Sequence, residues 1–133
     1  MTRTEAREAA FILLFEQNFK DDPVEETLSL AREARELKIS GFGKGLFEGT
    51  MAKISEIDAL LDSALINWRS ERVSKVAKTA MRLCIYEFTY TDMQAEVAIN
   101  EALELIKKYD SPESANFANG VLGGVYTTVK ENR

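Results

Sequence analysis

Residues 97–128 read VAINEALELIKKYDSPESANFANGVLGGVYTT, and no other stretch constrains the fold as tightly. Two helical patterns flank one break, Asp110-Ser111-Pro112. In the first, Ala98, Ala102, Leu105, Ile106 and Tyr109 fall at i, i+4, i+7, i+8 and i+11, one face of a helix. In the second, Phe117, Val121, Val125 and Thr128 repeat the pattern, with Ala118, Leu122 and Val129 beside them. Ser111 suits an N-cap and Pro112 the first helical position, where the missing N–H has no partner to lose. The stretch predicts a helical hairpin whose second helix presents free N–H groups and a positive dipole end near Glu113 and Ser114.

Histidine is absent from the 133 residues, and there is one cysteine. The commonest general base, the commonest metal ligand and any intramolecular disulfide are therefore excluded, and no phosphate-binding glycine motif occurs. An expectation of no catalytic site, no cofactor and no metal follows. Cys84 sits among Leu83, Ile85 and Phe88 and reads as a buried thiol. No apolar run approaches a membrane span, and residues 2–5 lack the apolar core of a secretory signal, which points to the cytoplasm. The net charge of −5 argues against a general nucleic-acid binder. It is unevenly spread, however. Residues 67–91 carry Arg69, Arg72, Lys75, Lys78 and Arg82 against Glu71 and Glu87 only.

The remaining chain reads as helix throughout. A first helix over 4–20 is apolar on more than one side, and Arg3 and Arg7 share a face near its start. A second, acidic helix spans 23–37. A break at Ile39–Gly43 leads into a long pattern over 44–65, divided in two if Ser55 caps a second segment. Trp68 anchors a polar connector, and Ser74 caps a helix over 75–90 in which Glu87 lies beside the apolar face and takes a structural role. Asp92 can cap the helix carrying Asn100 and Glu101, whose side chains suit bonds to neighbouring helix ends. Lys130 to Arg133 fray. Gly120, Gly123 and Gly124 each weaken their helix by about 1 kcal/mol relative to alanine, which close approach of a neighbouring helix would offset. The prediction is an all-α fold, a single compact domain of six to seven helices in two sub-bundles, roughly 1–66 and 67–133.

Four stretches in series carry a family resemblance: Ala6–Ala10, Trp68-x-x-x-Arg72-Val73, the run from Ala80 to Phe88, and VAINEALEL followed by FANGVL. Together they resemble the NusB family of transcription antitermination factors over nearly the whole chain. The resemblance implies a factor that binds boxA-type single-stranded RNA together with the ribosomal protein NusE and joins transcribing RNA polymerase. It implies RNA contacts at Arg3, Thr4, Arg7, Glu113, Ser114 and Phe117, and a partner surface drawn from Arg72, Lys75, Ala77 and Lys78. Trp68, Glu87, Asn100, Glu101, Asn119 and Gly120 take structural roles. By spacing alone Phe117 is either core or a platform for a base, and Arg3 and Arg7 are either a solvated face or phosphate contacts. The chain departs from the family in its sparse opening arginines, in lacking a proline at 91–94, and in having Ala77 where an acidic interface residue can stand. A second reading therefore stays open: a NusB-like protein-interaction or homodimerisation module with weak or lost RNA binding.

Overall fold

The computed structural model describes residues 2–17, 41–66 and 73–132. They form six helices: α1 (Arg3–Gln17), α2 (Gly41–Ala52), α3 (Ile54–Ala64), α4 (Lys75–Tyr90), α5 (Ala95–Tyr109) and α6 (Pro112–Glu131). No strand occurs among the described residues, as the all-α pattern requires. The expected helix over 23–37, the Trp68 anchor, Arg69 and Arg72 lie outside them.

The chain divides into two compact units, Met1–Ala52 and Lys53–Arg133. The division falls earlier than the expected point near residue 66. The reason is α3, which packs on α4 and α6 and buries Ile57 and Leu61 completely.

In the first unit α1 packs against α2. Thr2 and Glu5 form a capping box: the Thr2 hydroxyl accepts from the Glu5 N–H at 3.1 Å, and the Glu5 carboxylate accepts from the Thr2 N–H at 3.0 Å. Those bonds to Thr2 lower the Glu5 pKa from its ordinary value. Ala6, Ala9, Ala10, Phe11, Leu13 and Leu14 are buried from α1, and Leu46 and Phe47 from α2. Gly41 to Gly43 are the first turn of α2, not a break before it. The buried Thr50 hydroxyl donates to the Leu46 carbonyl at 2.7 Å, so its burial leaves no polar group unsatisfied.

In the second unit α4 and α6 form an inner pair, and each packs against both α3 and α5. α4 buries Ala77, Ala80, Met81, Leu83, Cys84, Ile85 and Phe88, most of its circumference. α6 contributes Ala118, Val121, Leu122, Val125 and Val129. Phe88 meets Tyr126 edge to face, with ring centroids 5.4 Å apart. Cys84 is buried, and desolvation, with the Glu87 carboxylate adding to it, pushes its thiol well above the ordinary value. Glu87 itself is 2% exposed and is not left without a partner. Arg82 grips Asp58 on α3 with two bonds, 2.8 and 3.0 Å long, which takes one cation out of the basic stretch over 67–91.

Several local expectations change. α3 starts after Lys53, without a side-chain cap, and Ser55 lies inside the helix. α5 is preceded by Gln94, also without a side-chain cap, so Asp92 does not cap it. The turn there is held by Thr91, whose hydroxyl accepts from the Met93 N–H at 3.1 Å and donates to the Glu87 carbonyl. α6 stays helical through Glu131 instead of fraying at Lys130. Tyr109 is exposed, with the Lys108 ammonium 5.4 Å from its ring centroid, because the α5 stripe ends one turn earlier at Ile106. Asn100 and Asn119 are exposed and make no side-chain bond to a helix end among the described residues. Glu101 is half-buried and partnered. A Cβ built at Gly120, Gly123 or Gly124 meets nothing within 4 Å, so among the described residues no neighbouring helix offsets these glycines. They lie on the exposed side of α6, whose apolar stripe alone holds the helix.

The two sides of α6 should respond oppositely to truncation. Leu122→Ala, at a fully buried position, is expected to lower unfolding free energy by about 2–5 kcal/mol. Gly123→Ala is expected to raise it by about 0.5–1 kcal/mol, since the added methyl meets open space. Urea titration followed by helix ellipticity measures both.

Candidate nucleic-acid interface

The start of α6 is built by Ser111. Its backbone is extended, at φ −154° and ψ 160°, and its hydroxyl accepts from the Ser114 N–H at 3.1 Å. The same hydroxyl donates to the Ser114 hydroxyl at 3.2 Å, and the Ala115 N–H reaches the Ser111 carbonyl at 3.1 Å. Pro112 has no N–H. Glu113 therefore holds the one first-turn amide without an acceptor among the described residues, fewer than the several that the sequence suggested. The carboxylates of Asp110 and Glu113 bracket this turn and offset its positive dipole end. A turn so arranged attracts phosphate weakly. It is better suited to base edges, because carboxylates and hydroxyls accept hydrogen bonds from base amino groups.

Phe117 stands one turn further in. It is half-buried, so it is neither a fully closed core residue nor a fully exposed one. Asn116, Asn119 and Gly120 around it are exposed. No charged residue occurs between Glu113 and Lys130, so this face of α6 neither attracts nor repels a strand by charge.

In the other unit, Arg3 and Thr4 are exposed at the start of α1. The Arg3 guanidinium lies 4.6 Å from the Phe42 ring centroid and that of Arg7 5.4 Å from it. Arg7 is only 4% exposed and is partnered. Arg7 thus lies in the α1–α2 packing beside Phe42, which sets it apart from the exposed Arg3 as a phosphate contact. Phe42 was not legible as its partner, because a ring on a distant helix leaves no local pattern in the sequence.

The expected partner surface also contracts. Ala77 is 1% exposed, packed in the core and out of reach of any partner. Lys75 is exposed and Lys78 half-buried. Among the described residues no group of three or more histidines, cysteines, aspartates or glutamates is placed to hold a metal ion. No helix there is long and apolar enough to cross a membrane.

Residues 4–127 match the model of the NusB family. The chain belongs to that family. A transcription antitermination protein NusB from Clostridium botulinum is 36% identical over 138 residues, covering 92% of this chain and 98% of the relative. The solution structure of NusB from Aquifex aeolicus matches with a TM-score of 0.84 and 25% identity, over 98% of this chain and 90% of that one. A crystal structure of the antitermination factors NusB and NusE in complex with double-stranded RNA matches with a TM-score of 0.81 and 25% identity, over 95% and 96%. The all-helical architecture described above is therefore the NusB fold.

The cap itself is testable. Ser111→Ala is expected to destabilise this NusB-family chain by about 0.5–2 kcal/mol and to speed hydrogen exchange at Ser114. Exchange at Val125, in the buried middle of α6, should rise only as much as global stability falls.

Proposed function

We propose that this chain is a transcription antitermination factor that binds boxA-type single-stranded RNA together with NusE and joins transcribing RNA polymerase, suppressing premature termination. Family membership supports the reading: the curated relatives are named transcription antitermination proteins, and a matching structure holds NusB with NusE and RNA. The observation that carries it on this chain is Phe117, half-buried one turn inside the serine-capped start of α6. An aromatic ring fixed in this way offers a base a stacking surface at little entropic cost. Glu113 and Ser114 supply acceptors for the edge of that base, and Arg3 and Thr4 contact the backbone. The role is that of a binding module without chemistry, acting in the cytoplasm.

One cation at the start of α1 gives this chain a weak electrostatic hold on RNA, since phosphate contacts dominate nucleic-acid affinity. The burial of Arg7 thus favours a protein that engages RNA in company with NusE. Lys75 and Lys78 on α4, with Arg72 before it, are the residues proposed for the partner contact, in a chain whose net charge of −5 suits a basic partner. Homodimerisation through the same face is the competing use, and gel filtration with and without NusE separates the two.

Two substitutions should act differently on binding of a boxA-like oligonucleotide. Arg3→Ala is expected to weaken binding to every sequence and to flatten the log–log salt slope by about 0.7. Phe117→Ala is expected to cost about 1–3 kcal/mol with the salt slope unchanged. Fluorescence anisotropy across a salt series, with ellipticity as the folding control, reads both. Two folded variants with wild-type affinity and slope would contradict the proposed RNA surface.

A further inference from the structure

We propose that Ser74 is a positioning residue for the RNA-facing start of α6, acting through its hydrogen bond to Asp110. The inference rests on the role given above to that turn. The Ser74 hydroxyl does two things at once. It accepts from the Ala77 N–H at 3.0 Å, capping α4, and it donates its own proton to the Asp110 carboxylate, 36 residues away in sequence.

Asp110 is the residue on which α5 ends. Its N–H donates to the Ile106 carbonyl at 2.8 Å, and its backbone, at φ −135° and ψ −102°, is neither helical nor extended. The next residue, Ser111, caps α6. The direction in which α6 leaves the corner is thus set at Asp110, and Ser74 fixes the Asp110 side chain to the start of α4. Among the described residues no other side-chain hydrogen bond ties Asp110 or Ser111 to another helix.

The arrangement also answers an electrostatic problem in α4. Lys75 and Lys78 lie in its first turns, where the helix dipole is positive and cations are unfavourable. The Asp110 carboxylate brings negative charge to that end. Each side of the contact therefore gains: α4 receives a counter-charge, and the α5–α6 corner receives an anchor. The functional consequence lies at Phe117, because stacking tolerates only a fraction of an ångström of misplacement. A corner held on both sides fixes the first turn of α6, and with it Glu113, Ser114 and the ring, against the start of α4.

Glycine at an N-cap costs only a few tenths of a kcal/mol, so Ser74→Gly removes the bond to Asp110 while largely sparing α4. The experiment compares wild type, Ser74→Gly, Ser74→Thr, Asp110→Ala, the Ser74→Gly/Asp110→Ala double variant and Phe117→Ala. It reads amide exchange at Ser114 and Ala115, and affinity for a boxA-like single-stranded oligonucleotide. Ser74→Gly is expected to speed exchange at both amides and to weaken RNA binding about three- to tenfold. Ser74→Thr, which keeps the hydroxyl, should restore both. Exchange in the double variant should be no faster than in Asp110→Ala alone, as one shared contact requires. Affinity is not compared for Asp110→Ala, because removing a carboxylate beside the strand favours RNA directly. Unchanged exchange at Ser114 in Ser74→Gly overturns the proposal. So does wild-type RNA affinity in that variant; if Phe117→Ala still weakens binding, the RNA surface survives and only the positioning role falls. If Phe117→Ala also binds as wild type, both fall together.

Discussion

The burial of α6 against three helices at once is the constraint on which the second unit depends. α3, α4 and α5 each pack on it, and its stripe from Ala118 through Val121, Leu122 and Val125 to Val129 is closed to solvent. The opposite side of the same helix is left to glycine, asparagine and threonine, which contribute little packing. Packing and exposure are therefore divided between two faces of one element. A helix pinned along its length can present its first turn rigidly, and a base-stacking ring needs that rigidity more than it needs charge.

Charge is distributed to match. The α6 start is bracketed by Asp110 and Glu113, Arg82 is bound to Asp58, and Arg7 is buried beside Phe42. On the proposed surfaces the exposed cations are Arg3 near the N-terminus and Lys75 on α4, while Lys44, Lys53, Lys107, Lys108 and Lys130 are exposed elsewhere among the described residues. The proposed RNA surface carries one exposed cation, Arg3, so the proposal leans on stacking and base edges, with a partner supplying the electrostatic share.

The fold was legible because its signals are periodic and local. The apolar spacing of 98–128, Ser111-Pro112 and Ser74 each announce helix faces and caps within a few residues, and the structure has both caps and both faces, except that Tyr109 and Thr128 at the ends of the stripes are exposed. What the sequence hid is tertiary. Nothing near Arg7 points to Phe42, nothing near Arg82 points to Asp58, and Ser74 gives no hint of Asp110. Ala77 was placed on a surface by resemblance, although its own neighbours Ala80, Met81 and Cys84 mark the buried side of α4. The glycines misled in the other direction: small residues on a helix suggest close packing, and here they meet open space. The capping box at Thr2 and Glu5 was readable from its spacing alone and would have placed the start of α1.

The first turn of α6, with the Phe117 ring, is the proposed place where RNA meets this chain. Titration of the isotopically labelled protein with a boxA-like single strand, followed by amide and aromatic chemical shifts, tests it most directly. The largest shifts are expected at Glu113, Ser114 and the Phe117 ring, with smaller ones at Arg3 and Thr4 and none at Val125. Saturating RNA that leaves Ser114 and Phe117 unmoved while shifting another surface would contradict it.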